Sequence, residues 1–147
     1  MQTAYQNTEG IYMKKSVSKL KKDLDKWFSL YIRLKDANEF GMVQCYTSGR
    51  IYHYKKIHAG HFISRRYLAT RYCEINVKPQ SAADNIFGQG CQFQFGINLD
   101  HEYGEGTAEE IQIKSKQSVK ITRVEYEEKI IYYKKLVENL KKEKGIE

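Results

Sequence analysis

Proline is almost missing from this chain: Pro79 is the only one. That excludes Pro-rich linkers and stalks. Cysteine is scarce as well. Cys45, Cys73 and Cys91 are an odd number without regular spacing, which argues against a disulfide scaffold and suits reduced thiols. No stretch approaches the roughly 18 apolar residues of a membrane span. The polar run from Met1 to Tyr12 lacks the apolar centre of a signal peptide. These absences predict a soluble, cytoplasmic protein with no membrane partner. Internal repeats are missing too, so one compact domain with helical arms is the simplest expectation.

Positive charge and aromatic rings are plentiful. Lys and Arg outnumber Asp and Glu by 25 to 18, a formal charge of +7. Such a surplus favours anionic partners, of which nucleic acid is the commonest. Twelve Tyr and six Phe supply bulk for a core that 147 residues can enclose as one domain.

Residues 1–13 read as loose. From Ser16 onward, Val17, Leu20, Leu24, Trp27, Tyr31 and Leu34 recur at three- and four-residue steps and predict a helix, ending by Gly41. The lysines flanking that stripe suit either a solvated face or a phosphate-contacting arm. Residues 42–45 and 51–54 read as strands around a Thr47-Ser48-Gly49 turn, and 57–63 as the next strand. Residues 64–80 read as loop. A helix is predicted near 81–88 and another over 91–103, the latter with strand as the alternative because Phe93, Phe95, Ile97 and Leu99 step by two. Thr107 with Glu110, and Thr122 with Glu125, read as capping boxes. Tyr126, Ile130, Tyr133, Val137 and Leu140 form the apolar stripe of a last helix, expected to pack on the first or on the β-element.

Histidine usage is concentrated. His53, His58 and His61 fall within nine residues, and His58-Ala59-Gly60-His61 sets two imidazoles about a small spacer. Imidazole serves as general base or metal ligand near neutral pH. From here the sequence becomes more specific. The string His58-Ala59-Gly60-His61-Phe62-Ile63 is followed by Arg65, Thr70-Arg71-Tyr72 and Asn76-Val77-x-Pro79-Gln80. Then come Phe95-Gly96-Ile97-Asn98-Leu99-Asp100 and Tyr103-Gly104-Glu105-Gly106-Thr107-Ala108-Glu109. Together, in this order, they resemble the phage NinG/Rap recombination proteins, from about Val43 through the last helix.

That family is related to HNH and endonuclease VII-like nucleases, so the resemblance implies an α+β, mainly helical fold. A small ββα-metal unit over 42–104 is expected between an N-terminal helical arm (1–41) and C-terminal helices (105–147). It implies cleavage of branched or junction DNA during recombination, in a bacterial host cell, by a phage- or prophage-encoded protein. His61 matches the hairpin general base, and Asn76 the Asn that holds the loop and orients it. Asn85 matches the helix-borne metal ligand. His58 is the expected second ligand, since Gly60 stands where many HNH proteins carry Asp. The cofactor implied is Mg²⁺ or Mn²⁺.

The family usually holds a structural zinc through two Cys-x-x-Cys pairs. Here those positions read Cys45…Ser48 and Ser81…Asp84. One sulfur does not hold a tetrahedral zinc, so none is expected, although Asp84 could ligate a metal. Cys73 and Cys91 do not restore the spacing; a rearranged set using Cys45 and Cys91 is an alternative. Arg50, Lys55, Lys56, Arg65, Arg66 and Arg71 are the candidate DNA-binding cations. Three functions follow as expectations. One is a metal-dependent endonuclease, one a non-cleaving DNA-binding recombination accessory, and one a partner-binding helical protein. The Tyr and Leu stripes would also suit a homodimer.

Overall fold

Ser16 opens the first long helix. Its hydroxyl oxygen accepts the Lys19 N–H at 3.1 Å, satisfying one of the donors left unpaired at a helix start. Helix α1 then runs Val17–Lys35. The computed structural model describes the backbone of residues 4–7 and 10–147 and the side chains from Lys14 onward. Leu20, Leu24, Phe28, Ile32 and Leu34 form the buried face of α1. The face is broader than the predicted stripe: Phe28 and Ile32 take its centre, Trp27 and Tyr31 pack at its edge, and Val17 stays exposed. The helix stops at Asp36, and Gly41, at φ +77°, shapes the turn beyond it.

At the other end, Thr122 and Glu125 form the predicted capping box. Helix α5 (Arg123–Lys144) buries Tyr126, Tyr133 and Val137 against α1. Phe28 meets Tyr133 edge-on at 5.0 Å, the geometry aromatic quadrupoles favour. The Lys144 ammonium donates to the Leu34, Lys35 and Ala37 carbonyls. A cation from the end of α5 thus satisfies the negative end of α1.

The strands pair into two-stranded sheets. Strands β1 (Ala4–Asn7) and β2 (Gly10–Met13) pair antiparallel where a loose segment was expected; residues 1–3, 8 and 9 lie outside the described residues. Strands β3 (Met42–Gln44) and β4 (Ile51–His53) pair as expected. Strand β5 (His58–His61) does not extend that hairpin. It pairs antiparallel with β6 (Val77–Gln80), His58 opposite Gln80 and His61 opposite Val77.

Strand β6 and helix α2 (Leu68–Arg71) both occupy the segment read as loop. Pro79 hides the strand, because proline donates nothing to a ladder. Its carbonyl instead accepts the Tyr46 N–H at 2.8 Å, joining β6 to the turn after β3. The helix expected near 81–88 is a π-helical turn, Ala83–Phe87. Helix α3 (Gln92–Tyr103) settles the helix-or-strand alternative. Helix α4 (Thr107–Ser115) lacks its predicted capping box: Gly106, at φ +92°, is the N-cap, and the Thr107 hydroxyl donates back to the Gly104 carbonyl at 2.7 Å. The fold is mainly helical α+β, as expected. Among the described residues no helix is long and apolar enough to cross a membrane.

Candidate active site

Strand β5, strand β6 and the π-helical turn Ala83–Phe87 follow in chain order as a strand–strand–helix unit. Its open side and α1 enclose a cleft of about 470 Å³. His61 from β5 and Asn85 from the turn both line it, with Arg65 and Asp25.

His61 is held in one tautomer. Its Nε2 lies 3.0 Å from the Arg71 carbonyl oxygen. A carbonyl only accepts, so Nε2 carries the proton and Nδ1 keeps its lone pair. Burial pushes the imidazole below its ordinary value, with the Arg71 and Arg65 charges acting the same way. The Arg71 carbonyl and Asp25 oppose the shift without reversing it. A neutral ring with a free Nδ1 is the form a general base requires.

Asn76 fixes the backbone around that ring. It is fully buried. Its Oδ1 accepts the Ile63 N–H at 2.8 Å, and its Nδ2 donates to the Ile63 and Thr70 carbonyls, each at 3.0 Å. One amide therefore ties the residues just after His61 to those just before Arg71, whose carbonyl holds the imidazole. Asn76 does not line the cleft; it acts on His61 through the loop.

His58 and Asn85 meet. The Asn85 Nδ2 donates to His58 Nδ1 at 3.1 Å, which leaves Asn85 Oδ1 as an available carbonyl donor. His58 Nδ1 accepts, so the neutral ring carries its proton on Nε2, and the imidazole becomes a metal ligand only by giving up the Asn85 hydrogen bond. Mg²⁺ and Mn²⁺ favour carboxylate, carbonyl and water oxygens, and this pair supplies one amide oxygen. Among the described residues no three His, Cys, Asp or Glu side chains gather into a metal-holding set. Asp84 is turned away from the pair: its Oδ2 accepts from the Thr47 hydroxyl at 2.5 Å and lies 3.9 Å from the Cys45 sulfur.

The four positions compared above with the family's cysteine pairs converge. The Cys45 sulfur, buried, accepts the Ser81 N–H at 3.2 Å and the Ser48 N–H at 3.5 Å. The Ser81 hydroxyl oxygen accepts the Asp84 N–H at 3.2 Å. Burial works against the Cys45 thiolate, but hydrogen bonds from Ser48, Ser81 and Thr47 outweigh it and bring the thiol down to about 7. Cys91 sits near this group, and burial and the Asp84 carboxylate push its thiol up. Hydrogen bonds link these positions.

The basic candidates divide. Arg50, Lys55, Lys56, Arg65 and Arg66 are exposed, and Arg65 reaches the cleft. Arg71 is committed to the fold. Its guanidinium pairs bidentately with Asp25, Nε to Oδ1 at 3.0 Å and Nη2 to Oδ2 at 2.5 Å, and Nη1 donates to the Arg65 carbonyl. Burial raises the Asp25 carboxyl, but the Arg71 and Tyr72 hydrogen bonds hold it below its ordinary value. The Asp25–Arg71 pair thereby braces both the Arg71 carbonyl behind His61 and the Arg65 backbone.

Gln80 closes the Asn76-Val77-x-Pro79-Gln80 motif, but sequence alone assigns it no role. It is fully buried opposite His58. Its Nε2 donates to the Gly90 carbonyl at 2.7 Å and to Thr47 Oγ1 at 3.1 Å, while its Oε1 has no partner. That oxygen lies 2.1 Å from where a Cβ at position 60 would stand. Gly60 is thus a steric requirement, and the Gln80 amide takes the space of any side chain there.

Comparison with known proteins places the chain in a family. The family model described as Bacteriophage Lambda NinG protein covers residues 7–143. No curated protein and no solved structure matches the chain.

Proposed function

This chain belongs to the NinG family, and we propose that it is a metal-dependent DNA endonuclease acting on branched or junction DNA during phage recombination. The observation that carries this reading is the delivery of a neutral, tautomer-locked His61 to the same cleft as Asn85. In the proposed step His61 Nδ1 takes a proton from water as the water oxygen bonds to phosphorus. The opposite P–O bond breaks, and the leaving oxygen takes a proton from solvent. Arg65 faces a non-bridging oxygen. Asn76 and the Arg71 carbonyl hold the imidazole in register, so little reorganisation accompanies proton transfer. Asn85 through its Oδ1, and His58 through Nδ1 once released from the Asn85 amide, would hold Mg²⁺ or Mn²⁺, and a bound ion would supply positive charge against the developing phosphorane and leaving oxygen.

A second reading is a DNA-binding accessory that does not cut. The lack of a three-donor acidic or imidazole set among the described residues favours it. The exposed cations would give it strongly salt-dependent affinity. The test uses forked and four-way DNA with Mn²⁺ or Mg²⁺, and then with EDTA. Nicking that needs the ion and is lost in His61→Ala supports the endonuclease. Shifted, uncut DNA supports the accessory. Absence of any shift at low salt removes both.

A further inference from the structure

The cleft is bordered by an uncharged stretch in a heavily charged chain. Residues 85–99 contain no Asp, Glu, Lys or Arg, although those types make up 29% of the sequence. Asn85, Gln89, Gly90 and Gln92 from this stretch line the cleft. Between and beside them stand Ile86, Phe87 and Phe93, which are 57%, 83% and 85% exposed. Phe95 and Leu99 bury the inner face of α3 completely, so Phe93 and Ile97 are left on its outer side. Gln89, Gly90 and Cys91 all have positive φ. In the chain this turn lies between Phe87 and Phe93, and each is close to cleft-lining residues in sequence. Two aromatic rings in water stabilise nothing in the fold.

Amide side chains and open ring faces without carboxylates suit nucleobases. Rings offer stacking surface to any base, amides offer hydrogen bonds to base edges, the stretch itself brings no carboxylate, and the Asp25 carboxylate in the cleft is paired with Arg71. Duplex bases are already stacked; bases at a branch are not. A second copy of the chain suits this face poorly. Four apolar side chains fall far short of the roughly 20–30 residues a side in a stable dimer, and each copy brings a charge of +7.

We propose that Phe87 and Phe93 form a stacking rim that receives unpaired bases at a DNA branch and so selects branched over duplex DNA at the adjoining cleft. This rests on the DNA-acting reading above and names the feature of the substrate that is recognised.

Binding is measured in EDTA, where no cleavage occurs, using a fork with 2-aminopurine at its unpaired junction base and a fully paired duplex of equal length. The parent protein should bind the fork more tightly and change the 2-aminopurine emission by stacking. Phe87→Ala/Phe93→Ala should lose roughly 10- to 100-fold in fork affinity while duplex affinity stays within about 2-fold. Phe87→Trp/Phe93→Trp should retain fork affinity. Circular dichroism and melting should be unchanged in both variants, because both positions are exposed. Equal losses on fork and duplex, no loss on the fork, unmoved emission, or a parent protein without fork preference would each overturn the proposal. So would a parent dimer in sedimentation that the alanine variant converts to monomer, which assigns the face to a second copy. Nicking is read separately through His61, so a protein that selects forks without cutting them leaves the rim standing and removes only the endonuclease.

Discussion

Replacing Gly60 with alanine tests whether the space beside His61 is as tight as it looks. The new Cβ would stand 2.1 Å from Gln80 Oε1, 2.8 Å from its Cβ and 2.9 Å from its Cδ. Relief needs a movement of more than an ångström. Gln80 has little freedom to give it, since its amide is held by the Gly90 carbonyl and Thr47 on a fully buried side chain. Overpacking a filled core costs about 1–3 kcal/mol, and losing one amide hydrogen bond with its partner left buried adds about 1–3 kcal/mol. The expected loss is about 3–4 kcal/mol, or roughly 6–15 °C in melting temperature for a domain of this size. Urea denaturation and calorimetry measure it. Gln80→Ala in the Gly60→Ala background should recover at least ~1 kcal/mol relative to additivity, because the two sites touch. A Gly60→Ala protein within about 0.5 kcal/mol of the parent would refute the reasoning, as would strict additivity in the cycle.

Other expectations concern the surroundings of the site. Ser48→Cys, Ser81→Cys and Asp84→Cys together set four thiols at positions that still converge on the Cys45 sulfur. The purified triple variant should carry about one zinc by elemental analysis and melt higher than its metal-stripped form; a zinc-free triple variant would count against the convergence. Asp25→Asn should cost about 2–3 kcal/mol at pH 7, below the full value for a buried pair because the Asp25 side chain keeps 24% exposure. Asp25 has its carboxyl lowered in the fold, so its contribution exists above the unfolded value and disappears as pH falls through the folded one. The gap between parent and variant urea midpoints should therefore be full at neutral pH and shrink steadily as pH falls below the ordinary Asp value of about 3.9, and a gap that does not shrink there would exclude the ion pair as its source.

Features fixed by neighbours in sequence were legible. The start of the first helix at Ser16, the Thr122–Glu125 box and the α5 stripe depend on residues a few positions apart, and each stands as read. Features fixed by distant partners were not. Strand β6 exists because Val77–Gln80 meets β5 across sixteen or more residues, while Pro79 argues locally against any strand. The Thr107 box failed because Gly104 and Gly106 supply left-handed backbone, which turns the Thr107 hydroxyl back toward a carbonyl. Motif order picked out His61, Asn76, His58 and Asn85, and the fold brings His61 and Asn85 to one cleft and His58 against Asn85. Motif order did not separate Asp84 and Arg71 from the residues facing the cleft, because only tertiary packing reveals Thr47 beneath one and Asp25 beside the other. Gln80 was marked only as part of a motif, and its role could not be read there, since its importance is the volume it occupies.

The pH dependence of nicking under subsaturating junction DNA, with saturating Mn²⁺, tests the assignment of His61 most directly, because that regime reports the free enzyme's base. Burial lowers the His61 imidazole in the fold, so the rate should climb with pH and level off with an inflection below the ordinary histidine value of about 6.5. His61→Ala should fall by about 10²- to 10⁴-fold and lose that inflection. An inflection at or above 6.5, or a His61→Ala protein that cuts at close to the parental rate, would contradict the account.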